Sequence, residues 1–244
     1  LFGFKVMEPS PIEMLSTLEA KSGSAVRDEI YYFKDKNDRD IGLRFDLTVG
    51  ITRYVAAERS LPMPFKVGAF SGMWRYDEPQ LGRYRWFYQW DVEIYGPSTP
   101  LADAEIIEFT WRLFKKLGLD AVEIRVGDRT IAEEHLHRTL SPISENLVLE
   151  AFRALDKVSK KGTNAVIQEY ASKGFSEEKM LEVLSLIDVK GKPNDALTEL
   201  ERMGVTKLED LKLLVDYLSD RGLKEVVLDM GIVRGLDYYS GLVF

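Results

Sequence analysis

The chain has 244 residues, with 33 Lys and Arg against 40 Asp and Glu and a formal net charge of −7. It is therefore not a polyanion binder coated in basic residues, and any bound nucleotide or RNA must be held by local arginines. It contains no cysteine, which excludes disulfides, thiolate zinc sites, iron–sulfur clusters and cysteine nucleophiles. His135 and His137, one residue apart, would point away from each other on a helix and make no metal site. No apolar run approaches the roughly 18 residues of a membrane span, and nothing at the start resembles a signal peptide. With Leu1 first and Phe244 ending inside an apolar run, the sequence reads as a fragment of a longer soluble, cytoplasmic protein.

In chain order, residues 29–33, the turn-forming Asp35-Lys36-Asn37-Asp38 and residues 41–49 predict a hairpin. Residues 65–75 and 85–95 predict a second one around a loop holding Pro79 and Gly82. Pro100 and Gly118 bracket a helix whose Ile106, Ile107, Phe109, Leu113, Phe114 and Leu117 make one apolar stripe. Residues 121–126 read as another strand. From 141 to 222 the aromatics are Phe152, Tyr170, Phe175 and Tyr217, and Gly162, Gly174, Gly191, Gly204 and Gly222 sit where helices should stop. Thr206-Lys207-Leu208-Glu209 has the form of a capping box. The expected organisation is an α+β core over 1–140, a helical insertion over 141–222, and a return to core strands over 223–244.

Side-chain parity over 85–95 carries the most chemistry. The even positions Trp86, Tyr88, Trp90, Val92 and Ile94 are bulky and apolar, whereas Arg85, Phe87, Gln89, Asp91, Glu93 and Tyr95 share the other face. An aromatic, an amide and two carboxylates in one row make a poor core, because buried carboxylates cost several kcal/mol unless paired. They suit either a solvent-washed sheet or the floor of a pocket for a cationic, hydrogen-bonding ligand, with Phe87 as a stacking platform. Leu43-Arg44-Phe45-Asp46-Leu47-Thr48 repeats the design, with Arg44, Asp46 and Thr48 on one side; an acid and a hydroxyl two apart can hold an ammonium group. Arg75 and Arg83 flank the second hairpin loop, where guanidinium forks can grip phosphate. No phosphate-binding loop of the Walker type and no dinucleotide fingerprint occurs. Arg234-Gly235-Leu236-Asp237-Tyr238-Tyr239 adds an arginine, an acid and two tyrosines close to the end.

Together these residues resemble the catalytic domain of the histidyl-tRNA synthetases, a class II aminoacyl-tRNA synthetase family. Residues 4–13, with Pro9 and Pro11, resemble its first, dimer-forming motif; 43–48 the substrate segment; 73–89 the second class-defining motif; and 234–239 the histidine-specific signature. The resemblance implies a class II core, an antiparallel sheet flanked by helices, with a helical insertion domain. It implies histidine, ATP and tRNA(His) as substrates, Mg2+ accompanying ATP, and a homodimer formed through the first motif. Asp46, Thr48 and Gln89 would hold the α-ammonium of histidine, and Glu93 and Tyr239, with Tyr238 beside it, would read the imidazole. Arg75 would grip the α-phosphate and Arg83 the γ-phosphate, with adenine stacked on Phe87 and Asp77 in the ATP-binding loop. Arg234 would face the α-phosphate from the other side, also in reach of histidine, making Arg75 and Arg234 the catalytic pair. Asp46 stands where many members carry Glu, a shortening that a small backbone shift would accommodate. The third class motif and the anticodon-binding domain would follow Phe244, so the fragment alone is expected to adenylate histidine poorly or not at all. The second reading is a non-catalytic paralogue, the histidine-sensing regulatory subunit of ATP phosphoribosyltransferase; retention of Arg75, Arg83 and Arg234 speaks against it.

Overall fold

The computed structural model describes residues 2–22, 24–96, 98–140, 145–233 and 240–244, and it divides into two units between Ser98 and Thr99. The first unit opens with strands β1 (Lys5–Val6) and β2 (Ile12–Met14), helix α1 (Leu15–Ser22) and a 3-10 helix (Ser24–Glu29). The first predicted hairpin follows as β3 (Tyr32–Lys34) and β4 (Asp40–Leu43). Its turn is made by Asp35, whose Oδ1 accepts from the amides of Asn37 at 2.8 Å and Arg39 at 2.9 Å, an Asx arrangement that tolerates the left-handed Asp38 (φ 60°).

The strand expected over 41–49 stops at Leu43. Asp46 turns the chain into helix α2 (Leu47–Ala57), and its side chain accepts from the Val49 amide at 3.1 Å. Two signals competed over the same residues. Leu43, Phe45 and Leu47 alternate as a strand would, but Leu47 and Ile51 are an i, i+4 pair, both fully buried, and an aspartate immediately before such a pair is an N-cap. Helix α2 serves two small cores: Leu47 and Ile51 pack with Phe65, Val67, Ala69 and Met73, while Val49 packs with Leu15, Leu18, Val26 and Ile30.

The second predicted hairpin is β5 (Phe65–Trp74) and β6 (Trp86–Tyr95), paired antiparallel from Phe65↔Tyr95 to Trp74↔Trp86. β1 joins β5 in parallel, and β2, β4 and β3 form a separate sheet in the order β2-β4-β3. Arg44 links these parts. It is 4% exposed; its Nε donates to the Gly72 carbonyl at 2.8 Å, one terminal nitrogen reaches the Pro9 carbonyl, and the other reaches Ser71 Oγ and, at 3.2 Å, Glu8 Oε1. A planar fork of five N–H donors can satisfy these four acceptors from two segments at once; a lysine could not.

The second unit begins with α3 (Pro100–Lys116), with Pro100 in the first turn, followed by β7 (Ile124–Asp128) and α4 (Arg129–Leu140). Helices α5 (Glu145–Lys161), α6 (Thr163–Ala171) and α7 (Glu177–Leu184), a 3-10 helix (Ser185–Asp188) and β8 (Lys190–Gly191) come next. They lead to α8 (Pro193–Arg202), α9 (Glu209–Asp220), β9 (Val226–Asp229) and β10 (Leu242–Val243). The sheet order is β10-β7-β9-β8, with β7 and β9 parallel. One apolar core runs from Ala104 on α3 through Val126, Leu136, Leu155, Tyr170 and Leu214 to Leu228 and Val233. The helices of 141–222 thus share that core with α3, β7 and β9.

Gly162, Gly174, Gly204 and Gly222 adopt positive φ at helix ends as expected, whereas Gly191 lies in β8. Thr206 does not cap α9. Leu208 occupies the N-cap without a side-chain bond, because the Glu134 carboxylate on α4 takes the Thr206 hydroxyl and the amides of Thr206 and Lys207 at 2.8–2.9 Å. His135 is buried with Nε2 3.0 Å from the Glu182 carbonyl, while His137 is on the surface. No helix among the described residues is long and apolar enough to cross a membrane.

Candidate functional site

The antiparallel register decides which face of β6 looks inward. Odd positions on β5 stand opposite odd positions on β6: Val67↔Glu93, Ala69↔Asp91, Ser71↔Gln89 and Met73↔Phe87. Because Phe65, Val67, Ala69 and Met73 are buried, the row Phe87, Gln89, Asp91, Glu93 and Tyr95 lies on the core side, beneath α2. The bulky even side instead carries Phe70, Tyr88 and Trp86, which are 65%, 59% and 52% exposed, with Phe70 and Tyr88 stacked at 5.2 Å. Reading β6 without β5 could not show this, since parity is shared by the pair.

Two linked polar groups occupy this inner row. In the first, Arg75 at the end of β5 donates from Nε to the Phe45 carbonyl at 3.1 Å and from Nη2 to Gln89 Oε1 at 3.4 Å. Gln89 in turn donates to Asp91 Oδ1 at 2.7 Å. The Arg75 guanidinium lies 5.3 Å from the Phe87 ring centre, so the cation and the proposed stacking platform are neighbours. In the second, the Glu93 carboxylate accepts from the Tyr95 hydroxyl at 2.8 Å, with the Thr48 hydroxyl of α2 beside it. Burial pushes the Glu93 carboxyl above its usual range, and the charges of Asp91 and Asp46 push the same way, against the two hydroxyls.

The structure therefore brings Asp46, Thr48 and Glu93 together, and Arg75, Phe87 and Gln89 together, on one face of β5–β6 under the start of α2. Asp77 and Arg83 lie on the connecting loop. There Arg83 Nε is 3.8 Å from Asp77 Oδ2, the Asp77 carbonyl accepts from Arg85 Nε at 3.1 Å, and Gly82 (φ 79°) makes the turn. Arg234, Tyr238 and Tyr239 lie outside the described residues. Two residues of this face had no role in the sequence reading, Tyr95 and Thr52, whose hydroxyls are 2.8 Å apart. Tyr95 was visible in the odd row; Thr52 was not, because its place one turn beyond Thr48 exists only if 47–57 is a helix. No group of three or more His, Asp or Glu among the described residues is placed to hold a metal ion.

The mixed α/β fold as a whole is that of solved histidyl-tRNA synthetases. The structure from Nostoc sp. PCC 7120 superposes with a TM-score of 0.83 at 24% identity, over 99% of this chain and 56% of that one. A structure from Bacillus halodurans, described as an ATP phosphoribosyltransferase regulatory subunit/histidyl-tRNA synthetase, gives 0.84 at 22% over 99% and 63%. The sequence profile of the histidyl-tRNA synthetase family matches residues 1–244, and the chain belongs to that family. Among its relatives, the histidine–tRNA ligase of Pyrobaculum islandicum is 37% identical over all of this chain and 57% of its own length. That of Pyrococcus abyssi is 34% identical, with the same two shares. The chain thus spans a little over half the length of the relatives it matches.

Proposed function

We propose that this chain carries the histidine-activating site of a class II histidine–tRNA ligase, which forms histidyl-adenylate from histidine and ATP and passes the histidyl group to tRNA(His). What supports this most is the single face that joins Thr48, Glu93, Gln89 and Arg75 in a chain whose whole length matches the family. Asp46, Thr48 and Gln89 bind the α-ammonium, and Glu93 accepts an N–H of the imidazole, with Tyr238 and Tyr239 as its partners from the signature. A site built on such bonds rejects analogues that would strand its polar groups.

The substrate carboxylate is already a nucleophile at neutral pH. It attacks the α-phosphorus, a carboxyl oxygen–phosphorus bond forms, and the bond to the pyrophosphate leaving group breaks. No proton need move, so positioning and charge carry the rate. Arg75 neutralises the α-phosphate from one side and Arg234 from the other, Arg83 holds the γ-phosphate after parting from Asp77, and adenine stacks on Phe87. Mg2+ would accompany ATP as part of the MgATP substrate, and no step is routed through it. The family reading also places a helical insertion at 141–222 between core segments 1–140 and 223–244, a homodimer through residues 4–13, and a cytoplasmic location. The relatives that match the whole chain are named histidine–tRNA ligases, which favours this over the regulatory-subunit reading.

Histidine-dependent ATP–pyrophosphate exchange in the full-length protein tests the proposal. Arg75→Ala should lower kcat by at least about 100-fold, the scale of removing one group that stabilises transition-state charge. Glu93→Gln should raise the histidine KM by about 10- to 100-fold, the scale of a hydrogen bond to a charged group. Exchange that persists unchanged in both variants refutes the assignment.

A further inference from the structure

Glu93 sits at the end of a short relay of hydroxyls. Thr52 on the exposed side of α2 is 2.8 Å from the Tyr95 hydroxyl, and that hydroxyl is 2.8 Å from Glu93 Oε2. The Thr48 hydroxyl stands beside the same carboxylate and favours its ionised form. With Glu93 ionised the directions are set: a carboxylate only accepts, so Tyr95 must donate to it, and the Tyr95 oxygen is then left to accept from Thr52. Tyr95 takes one of roughly four acceptor positions on the carboxylate and the Thr48 hydroxyl stands beside it, which leaves the remainder for N–H donors of a ligand.

We propose that Tyr95 is a positioning residue for substrate specificity, holding Glu93 as an oriented, ionised acceptor so that the site takes a ring that presents N–H. This rests on the histidine-ligase reading and adds to it a residue outside the family motif. The surroundings explain why such help is needed. Glu93 is half-buried and faces Asp91 on its own strand and Asp46 at the start of α2, all of which favour its protonation. The β5 residue opposite is Val67, which brings no charge. A protonated Glu93 would present an O–H where the ligand also presents a donor. Burial likewise pushes the Tyr95 phenol up, so it remains an O–H donor throughout the working range. Helix α2 supplies both hydroxyls, Thr48 and Thr52 standing one turn apart, so the helix that Asp46 caps also sets the angle of the acceptor.

The test is the pH dependence of histidine-dependent pyrophosphate exchange by the full-length protein, from about pH 5.5 to about pH 8.5. Tyr95→Phe keeps the ring that packs against the core beneath α2 and removes only the hydroxyl. It should raise the histidine KM about tenfold near pH 6, change kcat and the ATP KM less than about twofold, and move the acid limb of kcat/KM for histidine to higher pH. Thr52→Val, which leaves the Tyr95 donor in place, should shift the limb in the same direction by less. A Tyr95→Phe enzyme whose acid limb and histidine KM do not move, or whose ATP KM rises equally, overturns the proposal, because loss of packing alone would act on both substrates. Glu93→Gln separates the layers: a raised histidine KM there with an inert Tyr95→Phe rejects Tyr95 only, whereas an unchanged KM in Glu93→Gln removes the ligand reading beneath it.

Discussion

Replacing Arg44 by alanine should be among the most damaging single changes in the first unit, although Arg44 touches no proposed substrate. The side chain is 5% exposed and satisfies the carbonyls of Gly72 and Pro9 and the hydroxyl of Ser71. Pro9 and Ser71 are themselves buried, so truncation strands these acceptors where water enters with difficulty. The Glu8 carboxylate is two-thirds exposed and rehydrates, so its ion pair adds little. At about 1 kcal/mol or more for each stranded acceptor, the loss comes to about 3 kcal/mol. That corresponds to a fall in Tm of about 6–12 °C for a chain of this size. Because Trp74, Trp86 and Trp90 lie in the first unit, tryptophan emission in a urea titration reports its unfolding. Arg44→Lys should lose about half as much, since an ammonium keeps the charge but not the fork. The Arg44 carbonyl also accepts from the Trp74 amide at 3.1 Å, two residues before the Asp46 cap. The histidine KM should therefore rise in both variants in step with the loss of stability. An Arg44→Ala protein within about 0.5 kcal/mol of the parent, the range of an ordinary surface change, would refute this account of how the segment before α2 is held.

Glu93→Gln should be at least as stable as the parent at pH 7 despite its loss of histidine binding. The folded carboxyl titrates above its unfolded value because of burial, so its contribution to stability is fully present below the unfolded pKa and is lost as pH rises through the folded one. The amide avoids that loss, so the Tm advantage of Glu93→Gln should shrink as pH falls from 7 to about 4; an advantage that grows instead contradicts the stated shift. Gly127→Ala in the second unit places a Cβ 2.5 Å from the Ile232 carbonyl and 3.0 Å from that of Asp229. Both are backbone atoms that cannot swing aside, so a cost of about 1–3 kcal/mol is expected, read by thermal unfolding, and a neutral substitution would show that the turn after β9 yields easily.

Much of the polar row was legible in advance because a strand shows its faces by period two. Gln89, Asp91 and Glu93 share a side whatever they pack against, and Asp35 and Gly82 mark turns by their own backbone chemistry. Local capping competition was harder to read. Asp46 and Thr48 belong to α2 because Leu47 and Ile51 find a common core beneath them, and the same core absent, their alternation fits a strand equally well. Arg44 shares by parity the side of Asp46 and Thr48, and only its contacts show that it is a structural tie. Thr206 had the sequence of a cap until Glu134, 72 positions earlier, claimed its amide and hydroxyl.

From the order of residues alone came the hairpins, the helix ends, the absence of thiol chemistry and the set of acids and arginines that signalled the family, since each depends on neighbours a few positions apart. Which side of β6 faces inward, where Arg44 spends its hydrogen bonds, and the link from Thr52 through Tyr95 to Glu93 were decided by folding. The first depends on strand partners 12 to 30 residues distant and the others on partners 27 to 43 residues distant, and only the three-dimensional chain brings such groups together.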